Sequence, residues 1–155
     1  MRQKLTGAAV ALLAASALVT SPGAAHAAQG TKASFAVSTQ FSPEPSVIVA
    51  ATGPFTACTT VTDLGGDAVD TGPNTVLFTG QKRLNCDGGT VVLSDEARLN
   101  LAAGRKTFGT WTILESTLPG VETGGGRLKG DSASCEVVAG SGGCILDVFS
   151  GYVSG

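Results

Sequence analysis

Three carboxylates are the residues of this sequence best placed to do chemistry. Asp95 falls on the same parity as Val91, Leu93, Ala97 and Leu99; Asp147 shares parity with Ile145 and Phe149, and Glu115 with Trp111 and Ile113. Alternate residues of an extended chain share a face, so each acid would point the same way as an apolar set. Acids turned into a small apolar interior could bind a cation or act as an acid/base pair. A bulge near Ser94-Asp-Glu96 would instead turn Asp95 to solvent, Glu115 can sit at a strand end, and Asp147 can cap a turn. Asp95, Glu115, Asp147 and the aromatic Trp111 are therefore the candidate ligand-binding residues. The competing role for Trp111, as for Phe78, is core packing.

Other chemistries are excluded by residue type. The one histidine is His26, within an N-terminal segment expected to be removed, so no Ser-His-Asp or Cys-His set can form. Lys32, Lys82, Lys106 and Lys129 sit in turns or among polar residues, and none has a Ser-x-x-Lys setting. Catalytic residues are not assigned. No Cys-x2-Cys spacing exists, so no metal is expected, and nothing calls for a cofactor. Gly124-Gly-Gly126 lacks the following helix of a phosphate cradle and reads as a flexible segment.

The N-terminus sets the compartment. Arg2 and Lys4 precede an apolar run from Ala8 to Val19, and Ala25-His26-Ala27 offers small residues where a signal peptidase reads. Residues 1–27 are expected to be a cleaved signal peptide, leaving a secreted protein with no membrane anchor. Removing them takes away two of the ten basic residues and none of the twelve acids, for a net charge of −4. That balance argues against binding nucleic acid.

Beyond the signal, few helix formers cluster, and short β-branched runs alternate with glycine. The pattern predicts an all-β domain: a small antiparallel barrel of about eight strands, with a two-sheet sandwich as the alternative. Residues 28–45 read as a flexible leader and a first short strand (34–39), interrupted by Pro43-Glu-Pro45. Residues 46–155 read as the barrel, with strands expected over 46–51, 55–62, 75–86, 90–101, 107–114, 127–130, 133–138 and 144–153. Residues 63–74 and 118–126 read as loops. The run from Thr90 to Leu101 alternates most clearly.

Cys58, Cys86, Cys135 and Cys144 all lie in the exported part, an even set that reads as two disulfides, with three connectivities possible. Cys135 and Cys144 flank the glycine-rich residues 139–143, which predicts a hairpin with a cross-strand bridge. That leaves Cys58 with Cys86. By alternation Cys58 sides with Thr56 and Thr60, whereas Cys86 sides with Phe78 and Leu84. The two can meet only across a twist or bulge.

The segments Phe78-Thr-Gly80, Asp87-Gly-Gly-Thr90, Ala97-Arg-Leu99, Gly109-Thr-Trp-Thr112 and Asp147-Val-Phe-Ser-Gly151 resemble small secreted bacterial proteins of the allene oxide cyclase barrel-like (dirigent-like) superfamily. The resemblance covers residues 53–155 and implies an eight-stranded antiparallel barrel. It departs from the family at Glu115-Ser-Thr-Leu-Pro-Gly120.

Three functions follow as expectations. The first is a non-catalytic extracellular binding module for a small apolar ligand or a partner. The second is a cyclase or isomerase acting inside the barrel, which requires an open cavity beside the acids. The third is a self-associating structural or surface protein, a homo-oligomer.

Overall fold

A computed structural model describes residues 30–41 and 46–155. The expected signal peptide, its cleavage site and the Pro43-Glu-Pro45 interruption lie outside the described residues. Eight strands form one closed antiparallel barrel in meander order: β1 Thr31–Gln40, β2 Ser46–Thr52, β3 Cys58–Gly72, β4 Thr75–Cys86, β5 Gly89–Asn100, β6 Lys106–Ser116, β7 Thr123–Asp131 and β8 Cys144–Ser154. β1 pairs with β8 over ten residues, so the wall closes and the sandwich alternative is excluded. The seam between β2 and β3 is thin: among the described residues only Ser46–Val61 and Val47–Thr60 pair.

One end of the barrel is plugged. Phe35, Phe55, Trp111 and Phe149 pack there as a cluster, with Phe35 stacked on Phe149 at 4.5 Å and edge-on to Phe55 at 5.0 Å. Leu84, Leu93, Val91 and Val121 complete the apolar filling. Burial of this set supplies most of the stabilising free energy, on the order of 1.5–3 kcal/mol for each large side chain.

Several elements differ from the sequence reading, each for a local reason. β1 begins at Thr31 and is barrel wall along its whole length, because Ala33, Phe35 and Val37 all turn into the core. The domain therefore begins before residue 46. Residues 53–57 form a 3-10 turn, since Gly53 adopts φ 61° and Pro54 follows, and the turn drives Phe55 into the plug. Residues 63–72 are strand, forming with β4 a long hairpin that is exposed on its β3 side. Gly124, Gly125 and Gly126 belong to β7. At Gly126 a side chain would collide with the backbone of Ser150 and Gly151, so glycine permits close contact with β8.

Both disulfides form, Cys58–Cys86 and Cys135–Cys144. A ladder irregularity between Cys58 and Thr60 brings Cys58 opposite Cys86, the bulge that alternation required. The expected strand over 133–138 is absent. A short 3-10 turn at Ser132–Ser134 leads into an irregular segment, so Cys135–Cys144 ties that segment to β8 rather than bridging a hairpin. Gln40 holds it too, donating to the Glu136 carbonyl at 3.1 Å and accepting from the Val138 amide at 3.1 Å. Two disulfides suit an oxidising, extracellular setting. Among the described residues no helix is long and apolar enough to cross a membrane.

Candidate functional site

The site is built from alternation on four strands. Val37, Leu84, Leu93 and Phe149 are buried in the plug. Two residues further toward the other end of the barrel, on the same inner face, stand Thr39, Lys82, Asp95 and Asp147 respectively. These four form a polar ring directly on top of the apolar plug. Beyond the ring the wall turns apolar again through Phe78, Leu99, Leu101 and Ile145. The space enclosed is a cavity of about 660 Å³ open at that end. Phe41 and Arg105 flank its rim, the guanidinium lying 5.6 Å from the ring centre.

Asp147 is the most enclosed member of the ring, with 7 % of its surface exposed. Its Oδ2 accepts a hydrogen bond from the Thr39 hydroxyl at 2.8 Å. Its Oδ1 lies over Gly130, where a side chain would occupy the space the carboxylate fills. No donor among the described residues reaches Oδ1 of Asp147, nor the buried Oδ1 of Asp95. Such atoms are rare, because an unmet buried acceptor costs about 1–3 kcal/mol.

Burial pushes the Asp147 carboxyl up to about 6; the Thr39 hydrogen bond and the Lys82 charge oppose the rise, and the Asp95 charge adds to it. Asp95 is also raised, again mainly by burial, with Lys82 opposing and Asp63 adding. Lys82 itself reaches Asp63 Oδ2 at 3.4 Å. The charged residues lining the cavity are Asp63, Asp67, Asp95 and Asp147 against Lys82 and Arg105, an excess of acid.

The four candidate residues separate into three situations. Asp95 and Asp147 come together in the cavity. No bulge occurs at Ser94-Asp-Glu96, and Asp95 stands opposite Gly80 on β4 and Trp111 on β6. Trp111 is plug, 2 % exposed, with its indole nitrogen donating to the Ser150 carbonyl at 3.4 Å. Glu115 is exposed and outside the cavity. The β5–β6 ladder runs from Leu93–Ile113 to Val92–Glu115, so Leu114 is an extra residue and parity flips beyond it. Phe78, weighed as core, is 37 % exposed and forms part of the cavity wall.

Sequence reasoning missed Lys82 and Thr39. Lys82 shares parity with Val76, Phe78, Gly80 and Leu84, so the signal that it faces inward was present in β4. Thr39 likewise shares parity with Ala33, Phe35 and Val37, but its partner Asp147 could not be read, because that depends on β1 pairing with β8, over a hundred residues away. Comparison of the chain with protein-family models, with curated proteins and with solved structures gives no match.

Proposed function

We propose that the protein is a secreted, non-catalytic module that binds a small, largely apolar molecule in the open end of its barrel. The observation that carries this reading is a cavity of about 660 Å³, open at one end of the barrel and floored by Asp95 and Asp147. Its volume falls inside the ~300–1,000 Å³ range of small-molecule pockets, and its lining is mostly apolar with a few convergent polar groups. Eight-stranded barrels are just wide enough to hold one small ligand. Here the plug closes one end of the barrel and leaves the other end open. Membership of the allene oxide cyclase barrel-like superfamily is part of the same proposal and rests on the segments quoted between residues 53 and 155.

A thermal-shift screen of apolar amphiphiles tests the binding role: at least one class should raise Tm, and a broad screen without a stabiliser would refute it. Export is tested by the mass of protein from culture medium, which should begin at Ala28 or within two residues of it. A species retaining Met1 there would contradict export by signal cleavage.

A second reading, an isomerase moving a proton within a bound substrate, is favoured by one observation: Asp147, at about 6, is poised to exchange protons near neutrality. It predicts solvent deuterium entering a β,γ-unsaturated ketone incubated with the protein, and none entering with Asp147→Asn.

A further inference from the structure

We infer that the ligand is a cation at its polar end: the cavity takes an elongated organic ammonium compound, its nitrogen between Asp95 and Asp147 and its hydrocarbon along Phe78, Leu99 and Ile145. The inference rests on the binding role proposed above and names the ligand class for that site. Three features carry it.

The first is the unmet demand at the floor. Asp147 is more than nine-tenths buried and lines the floor beside Asp95, and each has an Oδ1 buried in the wall without a donor, so the protein compensates neither charge fully. At neutral pH the ionised carboxylates can only accept. A carboxylate head group would bring further acceptors into a ring that needs donors, and an alcohol would bring one donor. An ammonium brings three donors and a charge.

The second is the charge balance. Four aspartates and two cationic side chains line the cavity, and Lys82 already spans to Asp63 at 3.4 Å. An incoming cation relieves the excess of acid, whereas an anion adds to it. The apolar wall beyond the ring gives a hydrocarbon chain its own contact surface, which points to an organic cation.

The third is the order of surfaces along the strands. On β5 the inner face runs Leu93, Asp95, Ala97, Leu99 from plug to rim, and on β8 it runs Phe149, Asp147, Ile145. On these two strands the carboxylate lies deep and the apolar wall lies outward. A ligand must therefore enter head first and leave its hydrocarbon against the rim.

The test is calorimetric titration of the purified, oxidised protein at neutral pH with octylammonium, octanol and octanoate, which share one chain and differ in head group. Octylammonium should bind at least about tenfold more tightly than octanol, with octanoate weakest. Asp147→Asn and Asp95→Asn should each weaken octylammonium about tenfold or more and leave octanol unchanged, while Glu115→Gln changes neither. Asparagine keeps the shape and an acceptor for Thr39, and a retained thermal transition in each variant verifies folding. Octanoate or octanol binding as tightly as octylammonium overturns the ammonium assignment while the apolar cavity role stands. Equal octylammonium affinity in the parent and both asparagine variants also overturns the assignment. If none of the three probes binds, both proposals fall.

Discussion

The hydroxyl of Thr39 donates to Asp147 Oδ2 at 2.8 Å across the seam where β1 meets β8. The pairing that closes the barrel thus also tempers the proton affinity of its deepest acid. A hydrogen bond to the ionised carboxylate favours that form and partly offsets the effect of burial. Thr39→Val removes the donor and nearly keeps the shape. The Asp147 midpoint should then rise above about 6. Carboxyl carbon NMR titration measures it directly, and a midpoint that stays or falls would contradict this account.

The same acid makes stability depend on pH. Folded Asp147 keeps its proton up to about 6, whereas an unperturbed aspartate releases it near 3.8. Between those values the folded state holds more protons than the unfolded state, so stability falls as pH rises through the window. Lys82, Asp95 and Thr39 are the groups that bear on the shift. A displacement of about two pH units corresponds to about 3 kcal/mol. Asp147→Asn should therefore raise Tm at neutral pH and flatten the decline between about pH 4 and 6. Unfolding curves across that range with an undiminished slope would rule this out.

Trp111 should be a stability residue and nothing else. It packs edge-on to Phe35 at 6.0 Å and to Phe149 at 6.4 Å, away from solvent. Its emission should be blue-shifted in the folded protein. Trp111→Ala should cost about 3–5 kcal/mol through lost burial and the cavity left behind. A solvent-exposed emission maximum with unchanged stability would remove Trp111 from the plug.

The two disulfides should differ in weight. Cys58–Cys86 closes a separation of 28 residues and Cys135–Cys144 one of 9. In the chain-entropy treatment, replacing the first pair by alanine costs about 3–4 kcal/mol, and the second about 2.5–3. Peptide mapping under non-reducing conditions should find these two pairs. A Cys58 peptide joined to Cys135 or Cys144 would break the strand order.

Much of the fold was legible because antiparallel strands with one buried face leave a period of two. Val91, Leu93, Ala97 and Leu99 reported β5 this way, and the inward placement of Asp95 came with them. Where parity is reset, the sequence misleads. The extra residue Leu114 turned Glu115 outward, and no local signal marks it, because a bulge is a property of two paired strands. Residues 133–138 alternate well enough for a strand but find no neighbour, since β7 ends at Asp131 and β8 begins at Cys144. Of the site, Asp95 and Asp147 could be read from their own strands. Lys82 could have been, had parity been trusted over its charge. The inward side of Thr39 could have been read with Phe35 and Val37, but not its bond to Asp147, because nothing within β1 says which strand it meets.

The spacing of plug and ring has a consequence for how such a barrel can be remodelled. On β1, β4, β5 and β8 the residue that fills the plug and the residue that lines the cavity floor lie two positions apart on one inner face, as Leu93 and Asp95 do. A substitution in the ring alters the cavity while the aromatic cluster below keeps its contacts. Apolar packing and the chemistry of the cavity are thus carried by separate storeys of the same strands.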